Sequence, residues 1–320
     1  MEWARAVAAA FGLGEVLEPW TPVTGGASHL VWRLRTTRGD WAVKRVNRSW
    51  EAWWTREHEV AAAIQLEAWN LGVPMPRPVH PLRPSAPLLA DVRVDGEVGS
   101  FLAHEWCEGT APTSPTPELL DWVGATLAVL HELPAGPRPD ARPHAVEEWR
   151  EWLDGVPGDF ADRVRSFLPD IAAAEEVVDE AARDPRLTPV RTHRDVKPDN
   201  VLLTSAAPLL VDWDGAGADF AEWELTRSAL AFDGTAEGFT RVVRAYERAG
   251  GRPPGPDPVF LAGVLHARLG GAAYMVWRAL GHRPVTPPER AAAHGHALEL
   301  LSALRVALPN LERWARLLAR

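Results

Sequence analysis

The sequence predicts an α+β protein with two lobes, a small β-rich N-terminal lobe followed by a larger and mostly helical C-terminal lobe. The chain has 320 residues, which exceeds one average domain. Runs of strand type separated by glycine turns fill residues 20–47 and 90–106. Beyond residue 117, apolar residues recur mainly at helical spacing. We therefore expect one sheet near the N-terminus and helix packing after it.

Each lobe can be divided into elements from local signals. Apolar periodicity predicts helices, and glycine or proline marks where strands and helices end. In the first lobe these are a helix at 1–18, three strands within 20–47, a helix at 50–70 and a hairpin at 90–106. In the second they are a helix at 117–133, capped by Thr116 before Pro117, and helical blocks at 145–184 and 257–318.

The boundary between the lobes is predicted from a change in composition. Residues 107–117 are rich in Gly, Pro, Thr and Ser, as expected of a connector. We therefore predict an N-terminal domain over residues 1–108 and a C-terminal domain over residues 109–320.

Composition excludes several classes of protein. Hydrophobic residues make up 46% and charged residues 24%, which is ordinary for a globular protein. The net charge is −9 and no run of five basic residues occurs, so we expect no nucleic-acid partner; the acidic balance is compatible with a cationic substrate. Cys107 is the one cysteine, which favours a reducing, cytoplasmic location. No long apolar run and no signal peptide are found, so no membrane partner is expected.

Two lysines are the most informative residues of the chain. Of 34 lysines and arginines, only Lys44 and Lys197 are lysine. Lys44 lies in the strand-type run Trp-Ala-Val-Lys-Arg-Val, and Lys197 lies in His-Arg-Asp-Val-Lys-Pro-Asp-Asn. Because an ammonium is a compact point charge suited to a phosphate oxygen, whereas guanidinium is a wide planar fork, this usage indicates phosphate chemistry.

The residues around Lys197 have the chemical groups that phosphoryl transfer requires. That reaction needs a carboxylate to orient and deprotonate the attacking hydroxyl, which Asp195 can supply. It also needs hard oxygen ligands for Mg²⁺, which Asn200 and Asp212 can supply. The residues between Asn200 and Asp212 suffice for one hairpin that returns Asp212 to the loop.

This loop resembles that of the protein-kinase-like superfamily, and the string Val-Asp-Trp-Asp around Asp212 resembles the aminoglycoside phosphotransferase and choline kinase branch. The resemblance extends from about residue 20 to about residue 230. It implies a bilobal protein-kinase-like fold that binds ATP and Mg²⁺. Asp195 would be the catalytic base, Asn200 and Asp212 the metal ligands, and Lys44 the contact to the α- and β-phosphates.

The same resemblance implies a carboxylate partner for Lys44 on the next helix. Glu57 is the favoured partner, with Glu59 as the alternative. Both acids are equally compatible with solvated charges on a helix surface.

The resemblance also implies how the nucleotide is held. A turn containing Gly25, Gly26 and Ser28 would cover the phosphates, although a Gly-Gly turn by itself is typical of a plain hairpin. The nucleotide hinge would fall at residues 104–109, where the Glu105 carbonyl and the Cys107 N–H would bind adenine. Because these contacts use backbone atoms, GTP is as compatible as ATP.

The sequence departs from the phosphotransferase pattern at Arg194, where that branch usually has glycine. The string Asp195-Val-Lys197 is instead that of a Ser/Thr protein kinase, in which the lysine contacts the γ-phosphate. However, no Gly-x-Gly-x-x-Gly precedes Lys44, and neither Asp-Phe-Gly nor Ala-Pro-Glu follows the loop. A platform for a peptide substrate is therefore not expected, and Arg194 is expected to pair with a local carboxylate such as Asp219 or Glu222.

An acidic segment after Asp212 is a candidate substrate surface. Related phosphotransferases bind cationic substrates through acids beyond the metal ligand, which would correspond to Asp214, Glu222 and Glu224. The alternative is that these acids stabilise the N-terminus of the next helix.

These observations predict a Mg-ATP-dependent O-phosphotransferase that acts on a hydroxyl of a small molecule. The acceptor would be an antibiotic such as an aminoglycoside, or a sugar or amino-alcohol metabolite. Two alternatives are a protein kinase and a non-catalytic nucleotide-binding pseudokinase, and the presence of every residue that the chemistry requires argues against the second.

Overall fold

The structure is a computed structural model that describes residues 1–23, 30–46, 52–140, 144–282 and 286–319, without the side chains of residues 52–54. The chain forms two compact units. The first comprises Met1–Trp122, Thr126–Ala135 and Arg191–Ala218, and the second comprises Val123–Ala125, Gly136–Val190 and Asp219–Arg320. The loop that carries Asp195 therefore belongs to the same unit as the N-terminal strands. The domain boundary at residue 108 stays a prediction.

A five-stranded antiparallel sheet forms the centre of the first unit and confirms the strands predicted there. Lys44 lies on the central strand, between Val31 on one side and Leu102 on the other. This position fixes the backbone of Lys44 from both sides. The strands are β1 (Thr21–Val23), β2 (Leu30–Thr36), β3 (Gly39–Val46), β4 (Ala90–Val94) and β5 (Glu97–Glu105), in the spatial order β1-β2-β3-β5-β4.

Helix α1 (Glu2–Phe11) covers one face of this sheet. Its apolar side, including Val7 and Phe11, packs into a buried cluster with Leu34 and Phe101. The helix was predicted to reach residue 18, and this prediction is wrong. It ends at Phe11 because Gly12 adopts a left-handed conformation, with φ 64°, and donates its N–H back to the last turn.

Two longer helices and a hairpin also contribute residues to the first unit. Helix α2 (Ala52–Asn70) follows the central strand, and helix α3 (Pro117–Leu130) begins at Thr116, whose Oγ1 accepts a hydrogen bond from the Leu119 N–H at 3.2 Å. Strands β7 (Val201–Leu203) and β8 (Pro208–Leu210) form the hairpin predicted after the catalytic loop.

The second unit is helical. Its core contains fully buried aromatic side chains, among them Trp149, Trp223 and Phe239. Two short strands, β6 (Pro189–Thr192) and β9 (Gly217–Phe220), lie where the chain passes between the units. An antiparallel N-terminal sheet followed by helices confirms the predicted α+β class. The helices are α4 (Val146–Leu153), α5 (Asp159–Arg165), α6 (Leu168–Ala181), α7 (Ala221–Phe232), α8 (Ala236–Arg248), α9 (Ala262–Ala279), α10 (Pro287–Ala307) and α11 (Leu311–Ala315).

Among the described residues, one segment, Pro258–Ala279, is long and apolar enough to span a membrane by length and composition alone. Half of its most apolar window, 50%, is buried inside the protein. Core helices of globular proteins commonly meet the same criterion.

Candidate active site

His193 fixes the loop that carries the predicted catalytic residues. Its ring is fully buried, and its Nε2 lies 3.0 Å from the Val211 carbonyl oxygen. A carbonyl can only accept, so Nε2 carries the proton and Nδ1 accepts a hydrogen bond from the Asp195 N–H at 3.3 Å. The ring also packs edge-on against Trp213, with centroids 4.7 Å apart. His193 therefore joins the loop to the segment that carries Asp212.

Two side chains of the same loop orient the carboxylate of Asp195. Its Oδ2 accepts hydrogen bonds from Lys197 Nζ and from Asn200 Nδ2, both at 2.8 Å. The Asp195 side chain is nevertheless 46% exposed, so a substrate hydroxyl can reach it. The structure thus brings together a fixed and accessible carboxylate, an ammonium and an amide.

Asn200 is oriented so that its amide oxygen is left for a ligand. It is 5% exposed, and its Nδ2 donates both to Asp195 Oδ2 and to the Asp195 carbonyl, each at 2.8 Å. The Val211 N–H donates to the Asn200 carbonyl at 2.9 Å, which ties the loop to the chain just before Asp212. Asp212 itself has φ 65°, a left-handed conformation that aspartate tolerates better than most residues.

Lys44 reaches from the sheet to this segment. Its Nζ lies 2.6 Å from Asp212 Oδ1 and also forms an ion pair with Asp214. Burial acts to lower the pKa of Lys44, but the charges of Asp214 and Asp212 outweigh it and hold the pKa above its ordinary value. Lys44 therefore remains an ammonium, bound by two carboxylates.

A neutral histidine lies beside this ion pair. Burial and the charge of Lys44 lower the pKa of His104 to about 4, and Asp214 only partly opposes them. His104 Nε2 lies 2.7 Å from Gln65 Nε2, which makes that ring nitrogen the acceptor. Sequence reasoning missed this pair, although a histidine within the apolar run Phe-Leu-Ala-His is the available signal. A small cavity next to it is lined by His58, Gln65, Leu89, Leu102, Trp213 and Asp214, among others.

The donor atoms fit a Mg²⁺ ion that is shared with a nucleotide. Within the ranges that the structure describes, no group of three or more His, Cys, Asp or Glu could hold a metal by itself. Asn200 Oδ1 and the Asp212 carboxylate are hard oxygen donors. Magnesium in nucleotide sites commonly takes one or two protein ligands and completes its shell with phosphates and water.

The predicted hinge begins where β5 ends. The Glu105 N–H donates to the Arg77 carbonyl at 2.9 Å, and the Trp106 N–H donates to the Asp40 carbonyl at 3.0 Å. These bonds fix the backbone without using the Cys107 N–H, one of the two groups predicted to bind adenine. The other group, the Glu105 carbonyl, accepts a weak hydrogen bond from the Cys107 thiol at 3.9 Å. Burial, helped by the charge of Glu105, raises the pKa of the Cys107 thiol.

Some predicted site residues are not placed with this cluster. Gly25, Gly26 and Ser28 lie outside the described residues. Glu57 lies on α2, and its pairing with Lys44 stays a prediction. Burial raises the pKa of Glu57, whereas the positive charge of Arg194 lowers it, so Arg194 lies within electrostatic reach.

The acids of α7 are engaged inside the second unit. Both carboxylate oxygens of Glu222 accept hydrogen bonds from Thr188, at 2.9 Å from its N–H and 2.8 Å from its hydroxyl. Glu224 is fully buried, and its Oε1 lies 4.0 Å from Arg227 Nη2. The same Nη2 forms an ion pair with Asp219 Oδ2 at 2.7 Å. These contacts give Glu222 and Asp219 structural roles, and the substrate role predicted for Glu222 and Glu224 stays a prediction.

A model of the phosphotransferase enzyme family matches residues 19–259, which is most of the chain. The protein belongs to this family, and it is an enzyme that transfers phosphoryl groups. No curated protein matches the sequence.

Solved structures confirm the protein-kinase-like fold. The chain is similar to a spectinomycin phosphotransferase in complex with ADP and spectinomycin (TM-score 0.65, 15% identity, 91% of this chain and 94% of that one). A choline/ethanolamine kinase family protein from Mesorhizobium loti gives a TM-score of 0.62 at 21% identity, covering 99% and 98%. A microcompartment-associated aminopropanol kinase gives 0.64 at 15% identity, covering 97% and 98%. At sequence identities of 15% to 21%, this similarity establishes the fold alone.

Proposed function

We propose that the protein transfers the γ-phosphoryl group of Mg-ATP to a hydroxyl of a small molecule. The observation that carries this proposal is the contact of Asp195 with Lys197 and Asn200, in the same unit as the ion pair between Lys44 and Asp212. Membership of the phosphotransferase enzyme family supports it.

In this reaction Asp195 orients the acceptor hydroxyl and accepts its proton as the oxygen attacks the γ-phosphorus. The bond between that phosphorus and the β–γ bridging oxygen breaks, and ADP leaves. Lys197 is held on Asp195 Oδ2, so its ammonium stands beside the base and neutralises charge on the transferred group.

The remaining residues hold the nucleotide. Asn200 and Asp212 bind Mg²⁺, which neutralises phosphate charge when it is bound. Lys44 contacts the α- and β-phosphates, and Gly25, Gly26 and Ser28, which lie outside the described residues, also bind them. The Glu105 carbonyl and the Cys107 N–H bind the base, and such backbone contacts do not distinguish GTP from ATP.

The acceptor is proposed to be an antibiotic or a hydroxylated metabolite. The structural neighbours include a phosphotransferase solved with spectinomycin, an aminopropanol kinase and an ethanolamine kinase, which supports small amino-bearing alcohols. A reducing, cytoplasmic setting accords with the one cysteine.

The test is transfer of labelled γ-phosphate from Mg-ATP by the purified protein, with a cell extract and a panel of aminoglycosides and amino alcohols as acceptors. Asp195→Asn is the inactive variant, and Asp199→Asn, an exposed acid of the same loop, is the matched control. Label in small molecules that is lost only in Asp195→Asn supports the proposal. Asp195-dependent label confined to proteins would make the enzyme a protein kinase, and nucleotide binding without any transfer would make it a pseudokinase.

A further inference from the structure

We propose that Asp214, and not an acid of helix α2, is the carboxylate that positions Lys44 for the nucleotide phosphates, an inference that rests on the proposed function. Asp214 and Lys44 form an ion pair with side chains only 17% and 15% exposed. Ion pairs that are shielded from water in this way are screened little and hold a side chain more firmly than exposed ones.

The position of Asp214 is fixed by the turn that carries it. Asp214 lies in a short 3-10 turn, Trp213–Gly215, which directly follows Asp212. The Trp213 side chain is 4% exposed, and its indole Nε1 donates to the Leu210 carbonyl at 3.3 Å. A buried and hydrogen-bonded indole therefore anchors the residue just before Asp214 and helps to hold the Asp214 carboxylate facing Lys44.

Asp212 cannot replace Asp214 in this role. Its Oδ1 already lies 2.6 Å from Lys44 Nζ, yet the proposed function requires the same carboxylate for Mg²⁺. If Asp212 were the only partner of Lys44, the ammonium and the metal would compete for it. A second carboxylate at Asp214 balances the positive charge of Lys44 and keeps its side chain oriented while Asp212 binds the metal.

Helix α2 has a different cationic neighbour in this chain. Arg194 replaces the usual glycine of the loop and keeps a glycine-like conformation, with φ 69°. Its side chain lies over Gly217, where a Cβ would stand 2.7 Å from Arg194 Nη1. The guanidinium also lies within electrostatic reach of Glu57 on α2.

Binding of a fluorescent ADP analogue tests this assignment without knowledge of the acceptor. We compare the wild type with Asp214→Asn and Glu57→Gln, each with Mg²⁺ and with EDTA, and use Glu97→Gln, an exposed acid on β5, as the matched control. Loss of a charged hydrogen bond predicts that Asp214→Asn weakens binding about tenfold or more in both conditions. Glu57→Gln and the control should change it less than about twofold.

The two lysines allow a direct second measurement. Nitrogen-15 labelling of lysine gives side-chain ammonium signals from Lys44 and Lys197 alone, and Lys197→Arg assigns them. An ammonium held in a shielded ion pair exchanges its protons slowly enough to be observed at a fixed, near-neutral pH. The Lys44 signal should persist in the wild type and in Glu57→Gln and disappear in Asp214→Asn.

Each contrary result has a distinct meaning. A loss of ADP affinity in Glu57→Gln equal to that in Asp214→Asn would assign the anchor to α2 and overturn the proposal. If Asp214→Asn weakens ADP binding only in the presence of Mg²⁺, Asp214 is a metal ligand and not the anchor of Lys44. If Asp214→Asn keeps both its ADP affinity and its Lys44 signal, Asp214 has no role in positioning Lys44. Absence of ADP binding by the wild type would instead refute the proposed function itself.

Discussion

The Nζ atom of Lys44 lies 2.6 Å from Oδ1 of Asp212, although the two residues are 168 positions apart in the chain. One comes from the central strand of the sheet, and the other follows the hairpin after the catalytic loop. With Asp214, two carboxylates bind one ammonium.

Replacing Lys44 with arginine should impair nucleotide binding even though the charge is kept. A guanidinium is wider than an ammonium and cannot occupy the narrow position between Asp212 and Asp214. We expect ADP affinity and kcat/KM to fall by about tenfold to a hundredfold. Titration with ADP checks this, with Arg93→Lys, at an exposed position of β4, as the control. Unchanged affinity would show that a point charge is not required there.

The neutral His104 should make stability depend on pH. Its folded pKa of about 4 lies below the ordinary value of 6.5, so the unfolded chain binds the proton more readily. The contribution of neutral His104 to the free energy of unfolding is therefore complete above about pH 6.5 and is lost as the pH falls towards 4. Between about pH 7.5 and about pH 5 this loss amounts to about 2 kcal/mol.

Urea unfolding at both pH values measures this effect, and His104→Gln isolates it. Glutamine keeps an acceptor for Gln65 but cannot be protonated in this range. The variant should lose less stability than the wild type between about pH 7.5 and about pH 5, by that same amount of about 2 kcal/mol. Equal losses in both proteins would mean that His104 is not buried in its neutral form.

Substitution of Glu222 by glutamine should affect stability and leave nucleotide binding intact. One of the two Thr188 donors would lose its acceptor, because an amide offers one oxygen where the carboxylate offers two. We expect a loss of about 1–3 kcal/mol in the free energy of unfolding. Urea unfolding tests this against Glu237→Gln, an exposed acid of α8. Normal stability with a raised KM for the acceptor would favour a substrate role.

Replacing Gly217 should destabilise the protein because the Arg194 side chain packs against this glycine. An alanine Cβ would stand 2.7 Å from Arg194 Nη1 and 3.1 Å from its Cδ, so the arginine would have to move. We expect Gly217→Ala to destabilise the protein by about 1 kcal/mol, and by close to zero when Arg194→Ala is also present. A double-mutant cycle of unfolding measures the coupling. Equal costs in both backgrounds would show that Arg194 is not the cause.

Much of the fold could be predicted because its signals are local. The strand runs around Lys44, the hairpin at residues 90–106 and the Thr116 cap depend on neighbours within a few positions, and the structure has them. The helix at the N-terminus was extended too far because apolar periodicity continues past Gly12, whereas the backbone conformation of that glycine ends the helix.

The sequence by itself determined the reaction class, since the loop with Asp195, Lys197 and Asn200 carries the groups that phosphoryl transfer requires and resembles that of the protein-kinase-like superfamily. It did not determine which carboxylate meets Lys44 or that His104 is neutral. Those properties depend on contacts between residues far apart in the chain, and on the burial that only the packed first unit creates. Charge pairing and desolvation are set by tertiary structure, because both depend on which groups share a region from which water is excluded.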